Sequence, residues 1–269
     1  MKRTARISML IKILSDYPNS FFSLSYFCKL FGAAKSSVSE DIKIAKEIVS
    51  DIGNGTIQTV SGAGGGVKFV PDINNISLKK IQDKLCEMLK DPSRILGGGF
   101  LYTSDIFFDA HLVKEMAPVF AKKFLDSGAD YVATIETKGI PLALITAQLL
   151  NLPTIVVRRE SKISEGPTVS INYFSGSTDR IQKMSMAKKS IKKGKRAVII
   201  DDFMRAGGSL KGISELLAEF DVEVTGIGVA ISTIQPSVKK VDNYYSLTYL
   251  GNVDESSGTI EIYPNREII

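Results

Sequence analysis

One histidine, two cysteines and no tryptophan stand in a chain of 269 residues. His111, Cys28 and Cys86 are scattered, and a tetrahedral zinc site needs four clustered ligands, so no metal site is expected. Each cysteine sits in a segment of helical spacing and reads as a core residue, which fits a reducing cytoplasm. No run is apolar for long enough to suggest a membrane span. Lys2, Arg3 and Arg6 precede an apolar segment, but Lys12 and Asp16 interrupt it and no small-residue cleavage site follows, so a signal peptide is not expected. Acidic residues are the scarcer charge: 34 Lys and Arg against 29 Asp and Glu leave +5. That excess attracts anionic partners at long range without defining a site. A hydrophobic fraction of 44% is ample for packed cores, and the length points to two domains.

Residues 3 to 72 read differently from the remainder. Ile7, Leu10, Ile11 and Leu14 place one apolar stripe on a helix that stops at Tyr17 and Pro18. Ser23 caps a second, short helix burying Leu24, Phe27, Cys28 and Phe31, and Gly32 ends it. A third helix is expected to begin at Ser37, which forms a capping box with Glu40, and to bury Val38, Ile42, Ala45 and Val49. Its exposed first turns carry Lys35, Ser36, Ser37, Ser39 and Lys43, the hydroxyls and cations that meet phosphates and base edges in a major groove. Thr56 to Val60 and Val67 to Val70, around the glycine-rich loop 61–66, make a hairpin wing. Arg3, Arg6, Gly64 and Gly65 complete the candidate DNA contacts. The pattern is a winged helix-turn-helix; a three-helix cap packed on an enzyme domain stays open, although the third helix lacks apolar residues on its exposed side. The glycine loop has no Walker Lys-Ser/Thr pair and leads into a strand, which disfavours a nucleotide loop.

We place the domain boundary at 74/75, giving a DNA-binding domain over 1–74 and a ligand domain over 75–269. A helix from Ile73 to Lys90, apolar at Leu78, Ile81, Leu85 and Leu89, opens the second domain and is a candidate dimer contact. From Tyr131 onward strands alternate with helices, Met186 to Lys192 being taken as one of the helices, which predicts an α/β fold with a mostly parallel sheet. No Gly-x-Gly-x-x-Gly follows the first strand, so a dinucleotide fold has little support. Arg158, Arg159 and Lys162 open a polar stretch to Ser177, long enough to mark a functional loop. The basic group Lys188, Lys189, Lys192, Lys193, Lys195 and Arg196 is either a solvated face or a second DNA surface.

The most informative stretch is 198–209. Val198 to Ile200 form an aliphatic run that delivers Asp201 and Asp202 into the loop Phe203, Met204, Arg205, Ala206, Gly207 and Gly208, with a helix expected near Ser209. Adjacent carboxylates at a strand's end accept hydrogen bonds from neighbouring hydroxyls, and glycines let a phosphate approach the amides of a helix N-terminus. Thr137, Lys138 and Gly139 repeat the strand-to-helix geometry with a cation added. Together they describe a phosphosugar site.

These residues resemble the phosphoribosyl-pyrophosphate (PRPP) motif of the type I phosphoribosyltransferases, with Ala206 where the enzymes place a threonine. The runs Ala34 to Asp41, Gly64 to Lys68, Thr137 to Pro141, Val169 to Tyr173 and Ile200 to Gly208 extend the similarity over nearly the whole chain, to the purine operon repressor family of Gram-positive bacteria. That resemblance implies a cytoplasmic homodimer, not an enzyme, with no cofactor. It would bind double-stranded operator DNA at purine synthesis genes and let go when PRPP, with Mg²⁺, fills the pocket. It further implies that the alarmone (p)ppGpp competes for that pocket, with Tyr102 either stacking on its guanine or serving as a core tyrosine. The competing reading is a xanthine or adenine phosphoribosyltransferase with an accessory N-terminal domain. No base-binding signature is found for it.

Overall fold

The computed structural model describes all residues except Ser61, Ala63, Gly64, 161–165, 175–180 and 268–269. Two compact units emerge: Met1–Asn74 with Gln148–Asn151, and the remaining residues.

In the first unit α1 (Arg3–Asp16) buries Leu10 and Leu14 and ends ahead of Pro18. After β1 (Phe22–Ser23) comes α2 (Leu24–Phe31), where the Ser23 hydroxyl accepts from Tyr26 N at 3.2 Å and Gly32, at φ 59°, closes the helix in the left-handed region. Helix α3 (Lys35–Ile52) buries Val38, Ile42, Ala45 and Val49. It starts two residues earlier than the capping-box reading placed it. Ala34 is the N-cap without a side-chain hydrogen bond, and Glu40 reaches out to Arg3 at 3.1 Å. Strands β2 (Gly55–Val60) and β3 (Gly66–Pro71) pair antiparallel as the wing, Thr56 opposite Val70 and Val60 opposite Gly66. β1 adds to the free side of β3, giving the order β1-β3-β2. Leu10, Leu14, Phe27, Val38 and Ile57 are fully buried in the core these elements share.

The second unit opens with α4 (Asn75–Leu89), which buries Leu78, Ile81, Leu85 and Leu89 at helical spacing. A 3₁₀ turn at Pro92–Arg94 leads into a small hairpin, β4 (Ile95–Leu96) and β5 (Phe100–Leu101), then α5 (Ser104–Phe107) and α6 (Ala110–Phe124). Asp109 caps α6 by accepting from His111 N and Leu112 N. The alternating part runs β6 (Tyr131–Ile135), α7 (Gly139–Leu150), β7 (Thr154–Val157), β8 (Thr168–Phe174), β9 (Ile181–Ala187), β10 (Arg196–Met204), α8 (Gly208–Ala218), β11 (Glu223–Thr233), β12 (Tyr244–Asp254) and β13 (Thr259–Pro264).

Six strands form the main sheet in the order β13-β12-β11-β10-β6-β7, parallel except for β13 at the edge. Ala133, Ile155, Ala197, Ile199 and Val229 share one core with Ile213 and Leu216 of α8, so the central strands read as aliphatic runs because helices cover them. The helix expected over Met186 to Lys192 is instead the end of β9 followed by a 3₁₀ turn at Lys188–Ser190. β8 and β9 form a separate antiparallel hairpin, Thr168 opposite Ala187, and the described part of the long polar loop is therefore largely strand. From adjacent β6 and β10 the chain departs in opposite directions, through α7 to β7 and through α8 to β11. A crevice opens at the carboxyl ends of strands where the order reverses in this way.

Candidate functional sites

A cavity of about 690 Å³ occupies that crevice, within the usual range of small-molecule pockets. Asp201 and Asp202 line it from the last part of β10, which runs on to Met204 rather than ending before the carboxylates. Successive strand residues point to opposite sides. Asp201 is accordingly 3% exposed while Asp202 is half-buried, and Asp201 Oδ1 accepts the Asp202 amide at 3.0 Å. Burial first, and then the neighbouring Asp202 charge, pushes the Asp201 carboxyl well above its ordinary pKa. Burial also raises Asp202, and the ammonium of Lys138 opposes that rise. Ionising the pair is therefore costly, and hydrogen-bond donors or a cation at this point would offset that cost.

Gly139 explains how the second loop approaches so closely. A Cβ at this position would fall on Asp201 Oδ1 and on Thr134 Oγ1, so the start of α7 packs backbone-first against the carboxylate. The Glu136–Thr137 peptide just before it is cis. Lys138 Nζ donates to Thr103 Oγ1 at 2.9 Å, which holds the cation at the cavity wall. Glu136 accepts from Arg158 Nη1 at 3.2 Å and from the Arg159 amide at 2.8 Å. This ties the end of β6 to the end of β7.

On the other side Gly207 is the N-cap of α8 at φ 80°, a left-handed conformation that favours glycine. The helix starts at Gly208, one residue before the expected Ser209, and no side chain caps it. Amides in the first turn of a helix have no intrahelical acceptor. Gly208, Ser209 and Leu210 line the cavity, so an anion there meets unpaired donors and the positive end of the helix dipole.

Thr137, Lys138 and every residue from Asp201 to Ser209 line the cavity, whereas Gly139 is buried behind it against Asp201 and Thr134. Tyr102 is 47% exposed and so is not a core tyrosine; it lies outside the cavity lining, its backbone paired with Arg94, while Phe100, Leu101 and Thr103 around it line the cavity. Arg159, from the stretch expected to form a functional loop, also lines the cavity, as do Thr233, Asn252 and Glu261, which the sequence did not single out. They arrive from just beyond β7 and from β11, β12 and β13, and only Arg159, a cation past a strand end, carried a local signal.

In the first unit Lys35, Ser36, Ser39 and Lys43 are exposed on α3 and Ser37 is half-buried. Ile48 and Ile52 are also exposed, at the far end of the same helix. Arg6 is corrected to a bracing residue. Its guanidinium donates to the fully buried Asp41 at 2.6 and 3.3 Å with only 14% of the side chain exposed, so its charge is committed to holding α1 on α3. Arg3 also pairs with Asp41 and Glu40 but stays half-exposed. Gly65 is described, its amide donating to Gly62 O at 3.0 Å, whereas Gly64 lies outside the described residues.

Residues 2–71 match the family model for the N-terminal part of the bacterial purine repressor, and residues 108–257 match the phosphoribosyl transferase domain. The purine biosynthesis transcriptional repressor PurR of Bacillus subtilis is 41% identical over 97% of this chain and 92% of its own length. A purine biosynthesis transcriptional activator PurR of Lactococcus lactis is 33% identical over 97% of both. Among solved structures, the adenine phosphoribosyltransferase of Thermoanaerobacter pseudethanolicus superposes with a TM-score of 0.51 at 21% identity, covering 61% of this chain and 95% of that one. That likeness concerns the fold alone.

Proposed function

The chain belongs to the bacterial purine repressor family, and from that premise we propose that it holds operator DNA through its winged helix and loses that hold when PRPP fills the cavity of the second unit. The observation that carries the reading is one cavity at the switch point lined by a carboxylate pair, a lysine loop and a free helix N-terminus. These match, in order, the vicinal hydroxyls, the pyrophosphate and the 5′-phosphate of PRPP. Mg²⁺ enters with the ligand's own oxygens: among the described residues no group of three or more His, Cys, Asp or Glu side chains is placed to hold a metal. The polyanion (p)ppGpp, whose phosphates suit the same two loops, competes with PRPP and favours the DNA-bound state.

On the DNA side, Lys35 and Lys43 contact phosphates and Ser36 and Ser39 reach base edges from the first turns of α3. A homodimer supplies two such helices to two half-sites. The coupling is linkage: PRPP binds the DNA-free state more tightly, and a difference of about 1 to 3 kcal/mol changes operator affinity by roughly 5- to 150-fold. The more similar Bacillus relative favours repression as the output, while the Lactococcus relative, named an activator, is similar over 97% of both chains.

The phosphoribosyl transferase match favours a second reading, an enzyme. Ala206 supplies no hydroxyl at the anion loop, which supports ligand binding without efficient transfer. Calorimetric titration of PRPP and Mg²⁺, with Asp201→Ala as control, and pyrophosphate release in the presence of purine bases separate the two. Binding without turnover supports the sensor. Turnover at ordinary enzyme rates, about 1 to 1000 per second, refutes it.

A further inference from the structure

The loop between β10 and α8 is held from behind by Lys239 and Lys240, which do not line the cavity. Lys239 Nζ donates to Arg205 O at 2.6 Å, and the Lys240 amide donates to Ala206 O at 2.8 Å. The same ammonium donates to Thr233 O at 2.6 Å and to Thr233 Oγ1 at 3.2 Å, which uses all three of its N–H groups. Thr233 Oγ1 in turn lies 3.1 Å from Arg205 O. Gly207 completes the clasp, since a Cβ added there would meet Val241 at 3.1 Å. Burial lowers the Lys239 pKa, and the three acceptors offset that cost by taking up the N–H groups of the partly buried ammonium.

Two consecutive carbonyls turned toward the 239–240 backbone and ammonium fix the conformation of the loop that precedes the first turn of α8. The Gly208, Ser209 and Leu210 backbone then lines the cavity. We propose that Lys239 is the positioning residue of this anion loop, preorganising the first-turn amides of α8 for the 5′-phosphate of the sugar ligand; this rests on the phosphosugar reading above. Lys239 is not among the residues that line the cavity, so it acts through the loop and not on the ligand. Order in a binding loop before the ligand arrives spares the entropy of ordering it on binding.

The test compares wild-type full-length protein with Lys239→Met by calorimetric titration of ribose 5-phosphate, PRPP and inorganic pyrophosphate. Ribose 5-phosphate and PRPP are expected to bind about 10- to 100-fold more weakly to the variant, the scale of one charged hydrogen bond lost. Pyrophosphate, held by the Thr137 to Gly139 loop, keeps its affinity, and Lys239→Arg recovers most of the loss for the sugar phosphates. Equal affinity of wild type and Lys239→Met for ribose 5-phosphate overturns the proposal, as does an equal loss for pyrophosphate, which marks a general packing role. A wild-type protein that binds none of the three ligands refutes the phosphosugar reading itself. Should Lys239→Met fail to fold, Lys239→Gln takes its place in the same comparison.

Discussion

Replacing Gly139 by alanine probes the close contact between the two ligand loops. The added methyl lands on Asp201 Oδ1 and Thr134 Oγ1, with Asp201 Cγ at 3.2 Å. Neither neighbour yields easily: Thr134 is fully buried, and Asp201 is 3% exposed with its Oδ1 already bonded to the Asp202 amide. Overpacking at a tight site costs about 1 to 3 kcal/mol. Two outlets exist, a shift of the α7 start or rotation of the Asp201 carboxylate away from the hydroxyls of the proposed sugar ligand. Either one costs affinity, and the loss of one charged hydrogen bond at about 1.5 to 3 kcal/mol corresponds to roughly 10- to 150-fold in Kd. Calorimetry with PRPP and urea denaturation of the same variant measure the two effects side by side. A Gly139→Ala protein that binds PRPP within about twofold of wild type, with undiminished stability, refutes the claim that this contact shapes the site.

Asp202→Asn relieves the carboxylate pair, and the sign follows from the raised pKa values of Asp201 and Asp202. A buried carboxyl with a raised native pKa stabilises the fold most while protonated and loses that contribution as pH rises through the native value. The variant is therefore expected to have the higher Tm at neutral pH, with the two curves converging near pH 4, the ordinary carboxylate range of about 4; a gap that widens on acidification contradicts this. Thr134→Val replaces a buried hydroxyl that has no partner among the described residues, so stability in urea should be unchanged or higher by up to about 1 kcal/mol; a clear loss would show that the hydroxyl is satisfied in solution. Lys35→Ala with Lys43→Ala should reduce the salt dependence of operator binding by about 0.9 in log–log slope per phosphate contact removed. An unchanged slope moves the DNA contact off α3.

The winged helix was legible because its signals are local. Ser23 and Gly32 bracket α2 where hydrogen bonding and a positive φ need them, and the buried positions of α3 follow a single helical stripe. The start of α3 was misplaced because Ser37 and Glu40 fit a capping box, while Glu40 has a partner in Arg3, 37 residues away. β1 is two residues long and exists by pairing with β3, which no local pattern announces. The same holds for β9: Met184, Ser185, Met186 and Ala187 are all buried, so alternation is lost, and the strand is specified by β8.

In the second unit the Asp201 to Ser209 loop and the Thr137 to Gly139 loop were readable because each is one contiguous strand-to-helix junction. The remaining wall of the cavity comes from the hairpin around Phe100 and from the ends of β11, β12 and β13. Topology alone assembles those pieces, and Asn252 or Glu261 look like ordinary edge residues in the sequence. Arg6 shows the converse: a basic residue near the helix proposed to read DNA carries the expected charge, and a buried carboxylate 35 positions away has already claimed it.

In the proposed function one ligand equilibrium governs one DNA equilibrium. Titrating labelled operator duplex with the protein, at fixed salt, with and without saturating PRPP and Mg²⁺, measures it directly. Operator Kd is expected to rise by roughly 5- to 150-fold in PRPP, with no such change for Asp201→Ala. Operator affinity that is the same with and without PRPP, in a protein that binds PRPP by calorimetry, contradicts it.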